Sequence, residues 1–278
     1  MPDPSSAQAP AGLSEWPAPD HWQVIDFVSD LHLQSGDPAT WQSFERYLGQ
    51  ASPPDALFIL GDLFELWIGD DALLAPANGD DADPERPFWR ACAHALRRFS
   101  ERSALFFMAG NRDFLLGPAG LREMGMRGLP DPTVLVWRGQ RLVLSHGDAW
   151  CVDDVDYQRF RQQVRSTAWQ RAFLARPLAE RQSMARELRA QSEARKRTLG
   201  PDPSLWADLD DLTVREQLNA ARASVLIHGH THRPGEHDLG QGMRRVVLSD
   251  WDACATPVRL ELLRLSAKGL ERLALPTV

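Results

Sequence analysis

The residues best suited to chemistry cluster in "LIHGHTHRPGEH", residues 226–237, which holds four of the chain's eight histidines. A neutral imidazole offers a nitrogen lone pair near pH 7 and is a common metal ligand. His230 and His232 stand two apart behind Gly229, and alternation along an extended chain can aim both at one cleft. Four earlier segments carry similar groups: "SDLHL" (Asp30, His32), "GDLF" (Asp62), "GNRD" (Asn111) and "SHGD" (His146). Taken singly these are ordinary: Gly-Asp and Gly-Asn are turn dipeptides, and an isolated histidine is often a core residue. Together they supply four imidazoles, two carboxylates and an amide. That is more than one ion takes from protein, and it fits two ions with one shared ligand. Nitrogen and oxygen donors without thiolate suit Mn, Fe or Zn better than calcium or copper(I). Two such ions clamp the attacking and leaving oxygens of an in-line displacement at phosphorus and acidify a bound water.

The elements that must position these groups are short apolar runs. "VIDFV", "ALFIL", "ALFFMA", "RLVLS" and "SVLI" each end within a few residues of an Asp, Asn or His. "PATWQSFERYLGQ" has helical spacing (Trp41, Phe44, Leu48), and "ERPFWRACAHALRRFSERS" predicts a helix with Phe88, Cys92, Ala95 and Phe99 inward. "RRVVLSDW", "PVRLELLRL" and "LERLAL" read as further strands. Fully apolar strands alternating with helices imply a buried sheet in an α/β domain. Sites in such sheets gather beyond the carboxyl ends of the strands, so five distant segments can converge on one point.

Composition sets the bounds. A charged fraction of 25% and a hydrophobic fraction of 43% belong to a globular protein. The net charge of −7 argues against bulk nucleic-acid binding. Three scattered cysteines suit a reducing compartment rather than a disulfide framework. No apolar run is long enough to span a bilayer. Residues 1–20, rich in Pro, Ala, Ser and Asp, lack a signal peptide's basic and apolar regions and read as a disordered leader, with the domain over residues 21–278.

The ordered motifs "SDLHL", "GDLFELWIGDD", "GNRDFLLG", "SHGD" and "IHGHTHRP" resemble the calcineurin-like metallophosphoesterases over residues 22–251. "LFELWIGDD", "GNRDFLL" and "CVDDVDYQRFR" narrow the resemblance to the branch acting on UDP-2,3-diacylglucosamine in the lipid A pathway of Gram-negative bacteria. The resemblance implies a four-layer αββα sandwich with an inserted helical lid. It implies one ion on Asp30, His32, Asp62 and His232, and a second on Asp62, Asn111, His146 and His230, both ions manganese. The implied reaction is water attack at the α-phosphorus, giving UMP and 2,3-diacylglucosamine 1-phosphate, with Asp62, Asn111, Arg112 and His146 in catalytic positions. Substrate contacts would come from Asn111, Arg112, Asp154, Tyr157, Arg189, Ser192 and His230. A lysine expected seven residues after the serine falls on Leu199, so Lys196, Arg195 or Arg197 would supply that charge.

Arg112 stands where many calcineurin-like enzymes carry a histidine that protonates the leaving group. Arginine cannot donate a proton near neutral pH, but it neutralises phosphate oxygens bidentately. A sugar phosphate is a weak base and needs little protonation on departure, so Arg112 favours a diphosphate over a simple ester; the competing reading is a surface arginine beside Asp113. The lid would span about residues 149–223. Within it, residues 159–197 hold ten Arg and one Lys against three Glu, interleaved with Phe160, Trp169, Phe173, Leu174, Leu178, Met184 and Leu188. The resemblance makes this segment a lid over the site, which would offer an apolar groove to acyl chains and basic groups to phosphates. It could also rest on an anionic leaflet, as in a monomer peripheral on the cytoplasmic face of an inner membrane. Asp70 and Asp71 read as loop or cap residues as readily as substrate contacts, and Asp148 as a support for a ligand histidine or a cap of the lid. Three rivals remain: a soluble nucleotide hydrolase of the same fold, a non-catalytic scaffold, and a lipid-binding module. The apolar lid disfavours the first, and the complete donor set disfavours the others.

Overall fold

A computed structural model describes residues 13–74, 85–199 and 207–276, and the side chains of these except 189–199. In chain order the elements are β1 (Ser14–Pro17), β2 (Ile25–Val28), α1 (Pro38–Leu48), β3 (Ala56–Leu60), α2 (Asp71–Leu74), α3 (Glu85–Ser100), β4 (Ala104–Met108) and α4 (Pro118–Met124). There follow β5 (Arg127–Leu129), β6 (Thr133–Trp137), β7 (Gln140–Ser145), α5 (Val155–Val164), α6 (Thr167–Leu174), α7 (Leu178–Leu199) and α8 (Asp211–Ala221). The chain closes through β8 (Val225–His228), β9 (Gly235–Gly240), β10 (Met243–Val247), β11 (Glu261–Ser266) and β12 (Gly269–Ala274).

The strands form two six-stranded sheets, ordered β1-β6-β7-β8-β10-β9 and β12-β11-β2-β3-β4-β5. The apolar runs explain the layering. All five residues of β3 are fully buried: Phe58 and Leu60 face Leu135, Leu144 and Ile227 of the other sheet, while Leu57 and Ile59 face the α1–α3 side. A strand covered on both faces has no polar alternation, and each such side chain contributes about 1.5–3 kcal/mol on burial. Asp37 caps α1 by accepting from the Thr40 amide at 3.2 Å, and Pro38 fits the first turn. On the far side α8 packs Val214, Leu218 and Ala221 against Val143 and Leu226. Two helical layers therefore enclose two sheets, the expected αββα sandwich.

β2, β3 and β4 run parallel and adjacent in one sheet, as do β7 and β8 in the other. Their carboxyl ends therefore meet where the two sheets face each other.

Three expectations need correction. The leader does not extend to residue 20: Ser14–Pro17 pairs in parallel with Thr133–Val136, and the Trp16 ring meets Phe106 at 4.9 Å. One tryptophan gives the Pro-rich segment a seat, and Pro17 is tolerated because the strand is at an edge; residues 1–12 lie outside those described. The buried side of α3 is Trp89, Cys92, Ala93, Leu96 and Phe99, with Phe88 and Ala95 on its margin. The inserted helices expected to form a lid are α5, α6 and α7, because α8 belongs to the sandwich.

Candidate active site

Each sheet brings its strand ends to one point. Asp30, His32 and Asp62 follow β2 and β3, and Asn111 follows β4; His146 follows β7, and His230 and His232 follow β8. The loops are tightly turned. Of the eight non-glycine residues with positive φ among the described residues, five are Asp30, His32, Asp62, His230 and His232, at 47° to 67°. Such backbone costs of order 1–3 kcal/mol per residue and persists where its surroundings hold it. Those surroundings are on hand: the Asp30 amide donates to Gly61 O at 3.0 Å, the His32 amide to Asp62 O at 3.0 Å, and the Gly229 amide to His146 O at 3.0 Å.

Two groups of donors result. In one, His32 Nε2 and His232 Nε2 stand 3.3 Å apart, with Asp30 Oδ1 at 3.9 and 3.3 Å from them. Their outer Nδ1 atoms face carboxylates, Glu65 Oε2 at 3.0 Å and Asp250 Oδ2 at 3.6 Å. Outer-shell carboxylates of this kind orient ligand imidazoles. In the other group, Asn111 Oδ1 lies 3.0 Å from His146 Nε2 and 2.9 Å from His230 Nδ1, and Asp62 Oδ1 is 3.8 Å from His146 Nε2. His146 Nδ1 donates to Leu60 O at 2.9 Å, so its Nε2 is the nitrogen turned to the cleft.

The donors fit cations. Asp30 Oδ1 is buried and no donor is aligned on it. His32 Nε2 and His232 Nε2 converge beside that oxygen, and a cation could be held by all three atoms. Asp30–His32–His232 and Asp30–Asp62–His146 each place one ligand atom per residue within 4.8 Å of the others. Asp30 belongs to both triplets, and Asp62, the expected shared ligand, joins it in the second.

Electrostatics agrees. Burial opposes ionisation of Asp30, yet the His232 ring 3.3 Å from Oδ1 and the other surrounding imidazoles hold it far below the carboxylate range. Burial likewise opposes charge on His146, but Asp62 and Asp30 raise it to about 9. For His230, burial and the charge on His146 lower it to about 4. The ion-free site thus carries a proton that bound cations must displace.

Close backbone approach is built in. A Cβ on Gly229 would lie 2.3 Å from Asp30 Oδ2, and one on Gly110 would lie 2.1 Å from Asp62 Oδ1.

Beside the donors opens an apolar cleft of about 300 Å³ lined by Leu66, Trp67, Phe114, Phe160, Trp169, Phe173, Ala185 and Leu188, with Asn111, Arg112 and Tyr157 also in its wall. Trp169 stacks on Phe173 at 4.8 Å. Among the described residues no helix is long and apolar enough to cross a membrane.

The remaining sequence candidates separate. Arg112 is not a surface partner of Asp113: its Nη1 lies 3.2 Å from Glu65 Oε1, and its amide donates to Asp62 Oδ1 at 2.8 Å. Asp113 is fully buried and accepts from the Gly110 and Leu63 amides at 2.9 and 2.7 Å, tying the β4 loop to the β3 loop. Asp154 caps α5 by accepting from the Tyr157 amide at 3.1 Å. The Tyr157 hydroxyl donates to Asp148 at 2.7 Å, and its ring lies 5.9 Å from that of His230. Arg189, Ser192 and Lys196 are on α7, but their side chains lie outside those described.

Asp70 accepts from the amides of Gly117 and Gly120 at 2.9 and 2.8 Å, which secures the start of α4, and Asp71 pairs with Arg181. Both roles are structural. The basic excess of the lid is also partly internal: Arg161 Nε and Arg165 Nη2 lie 2.8 and 3.6 Å from buried Asp148. His228 is buried with Nδ1 donating to Gly229 O at 2.9 Å, and His237 is on β9. The sequence reading missed Glu65, which no spacing or periodicity marks.

The calcineurin-like phosphoesterase family model matches residues 24–234. A UDP-2,3-diacylglucosamine hydrolase of Chromobacterium violaceum is 46% identical over 232 residues, covering 82% of this chain and 90% of that protein. One from Xanthomonas axonopodis is 43% identical over 258 residues, covering 90% and 98%. One from Aromatoleum aromaticum is 44% identical over 230 residues, covering 81% and 88%. On that identity and coverage the chain belongs to the calcineurin-like phosphoesterase family of metal-dependent hydrolases, in the branch of the UDP-2,3-diacylglucosamine hydrolases.

Proposed function

We propose that this hydrolase cleaves the diphosphate of UDP-2,3-diacylglucosamine at the α-phosphorus, releasing UMP and 2,3-diacylglucosamine 1-phosphate for lipid A biosynthesis. The observation that carries the reading is shared walls: Asn111 and Arg112 border both the donor cluster and the apolar cleft. A substrate with acyl chains in the cleft would present its phosphates to those two residues. The names borne by relatives more than 40% identical point to the same substrate.

Asp30, His32, Asp62 and His232 would hold one manganese ion, and Asp62, Asn111, His146 and His230 the other. Such ions supply an acidified water and charge for phosphate oxygens. The chain's own groups do the rest. Arg112, steadied by Glu65, directs N–H donors at phosphate oxygens. The leaving sugar phosphate departs as an anion, so no proton donor is required at the position Arg112 occupies. The apolar cleft excludes water from the acyl chains, while Arg189, Ser192 and Lys196 of α7 would face the lipid head. Exposed Val155, Phe160 and Leu174 of the lid, with Arg159 and Arg171 beside them, suit a protein resting on the cytoplasmic face of an anionic inner membrane.

The test is UMP release from detergent-dispersed UDP-2,3-diacylglucosamine by purified protein with added Mn²⁺. Release at rates well above those for cyclic nucleotides or dinucleoside polyphosphates is expected. Hydrolysis of the nucleotides without the lipid would replace the substrate and leave the two-metal site intact.

A further inference from the structure

Glu65 joins two parts of the site that the sequence assigns separate tasks. One carboxylate oxygen, Oε2, makes a charge contact 3.0 Å from His32 Nδ1, off the hydrogen-bonding line, and the other, Oε1, lies 3.2 Å from Arg112 Nη1. Glu65 is buried, and the side chains of His32 and Arg112 are each only 17% exposed. Its backbone is fixed as well: the Glu65 amide donates to Leu33 O at 3.1 Å, and Leu33 forms a β-bridge with Phe64. The loop after β2 and the loop after β3 are therefore one unit at this point. Arg112 is held at both ends of its backbone too, by its amide on Asp62 Oδ1 at 2.8 Å and by its carbonyl accepting from the Trp67 amide at 3.1 Å.

From this geometry we propose that Glu65 is a positioning residue that serves the metal site and the phosphate site at once. With Oε2 it fixes the ring of His32 so that Nε2 points at His232 and Asp30. With Oε1 it holds the Arg112 guanidinium at the rim of the cleft, leaving its other N–H groups for a phosphate. A carboxylate can do both because its negative charge is shared by two oxygens, one facing each partner. An amide of the same shape has one acceptor and can keep only one of the two contacts. The phosphate half of this inference rests on the proposed function, and the metal half does not.

The experiment is a double-mutant cycle of Glu65→Gln with Arg112→Ala, read in two ways. Mn²⁺ affinity is measured by titration calorimetry on chelator-stripped protein, and kcat and KM are measured for UMP release at saturating Mn²⁺. Glu65→Gln preserves shape and volume, and thermal melting checks that each variant is folded. Loss of an outer-shell partner weakens metal binding by about 10–100-fold, and that loss should appear with or without Arg112. The fall in kcat, of about tenfold, should appear only when Arg112 is present, because it acts through that side chain. An Mn²⁺ affinity within about twofold of wild type, or an equal loss of kcat in both Arg112 backgrounds, would overturn the assignment. If the wild-type enzyme released no UMP, the substrate reading would fail alone, since the Mn²⁺ measurement needs no substrate.

Discussion

The lid is fastened to the sandwich by an ion pair whose two halves are unequally exposed, and the inequality makes a prediction. The Arg181 side chain is 2% exposed and that of Asp71 is 60% exposed. Besides Asp71, Arg181 donates through Nη1 to Ile68 O at 2.6 Å and through Nε to Arg176 O at 3.0 Å. Removing the carboxylate leaves a buried guanidinium with two carbonyls and no anion. Breaking a buried pair in that way costs about 3–5 kcal/mol, and the surviving hydrogen bonds put Asp71→Ala near the lower figure. Removing the guanidinium instead leaves Asp71 largely in water, at little cost. Arg181→Met keeps the apolar stem, gives up the half-solvated contact with Asp71 at little cost, loses the two charge-assisted bonds to carbonyls, about 1.5 kcal/mol each, and is partly relieved of an ion's desolvation. A net loss of about 1–2 kcal/mol follows. At 1.36 kcal/mol per decade, amide protection in α6 and α7 should fall about 10-fold in Arg181→Met and over about 100-fold in Asp71→Ala. Hydrogen exchange with mass spectrometry reads both. The surprise in this ordering is that the exposed partner matters more. A larger effect from Arg181→Met, or equal loss of protection in β2–β4, would refute it.

Three further outcomes are expected. Gly229→Ala should abolish Mn²⁺ binding in calorimetry while the protein still melts cooperatively, because the new Cβ would lie 2.3 Å from Asp30 Oδ2 and 2.4 Å from Ser29 Oγ. Chelator-stripped protein should lose stability as pH rises from 6.5 to 9. Burial opposes the proton on His146 but Asp62 and Asp30 raise its pKa from 6.5 to about 9, so the bound proton stabilises the fold fully below 6.5 and ceases to do so through 9. The change is on the order of 3 kcal/mol, and parallel melting profiles with and without Mn²⁺ would sink it. Asp148→Asn should speed alkylation of Cys151. Burial, then Asp208 and Asp148, push this thiol up to about 12, and α5 is held over it by the Tyr157 hydroxyl and Arg161 Nε donating to the Asp148 side chain at 2.7 and 2.8 Å. Exposed Cys254 serves as the internal standard; an unchanged ratio of labelling would show that Asp148 does not hold the lid.

The fold and the donor cluster were legible because they share one sequence signal, an apolar run that stops at a polar residue. β2, β3, β4, β7 and β8 need burial on both faces, so their composition reveals them without alternation. β1 and β9 were not legible. "SEWP" has a single core residue, and "GEHDLG" is a polar edge strand with Leu239 its buried residue. The inward side of α3 was misread by one position because Phe88 and Trp89 compete for it, and packing on Trp67, at 5.3 Å from Trp89, decides. Supporting carboxylates were the larger omission. Glu65 and Asp113 sit in loops whose sequence gives no periodicity, and their roles depend on loops brought from elsewhere in the chain. The Arg-rich lid could be read as charged but not as partly self-neutralised, since Asp71 and Asp148 approach it only in three dimensions.

The same geometry explains why such a site needs a cation for more than chemistry. Five donor residues hold left-handed backbone, each at a cost of order 1 kcal/mol. Asp30 and Asp148 are buried and held as carboxylates, which is unfavourable unless opposite charge is near. In the ion-free site a proton on His146 meets part of that demand, and hydrogen bonds from Arg161 and Tyr157 meet the part at Asp148. Nothing comparable is aligned on Asp30 Oδ1. Asp30 follows β2 of one sheet, whereas His232 and the amide of His230, 2.9 Å from Asp30 Oδ2, follow β8 of the other. A cation on Asp30 and His232 would therefore fasten the two sheets at their carboxyl ends. The strain stored in those loops is then the cost of pointing donors from both sheets at a common centre, and binding there returns it as stability.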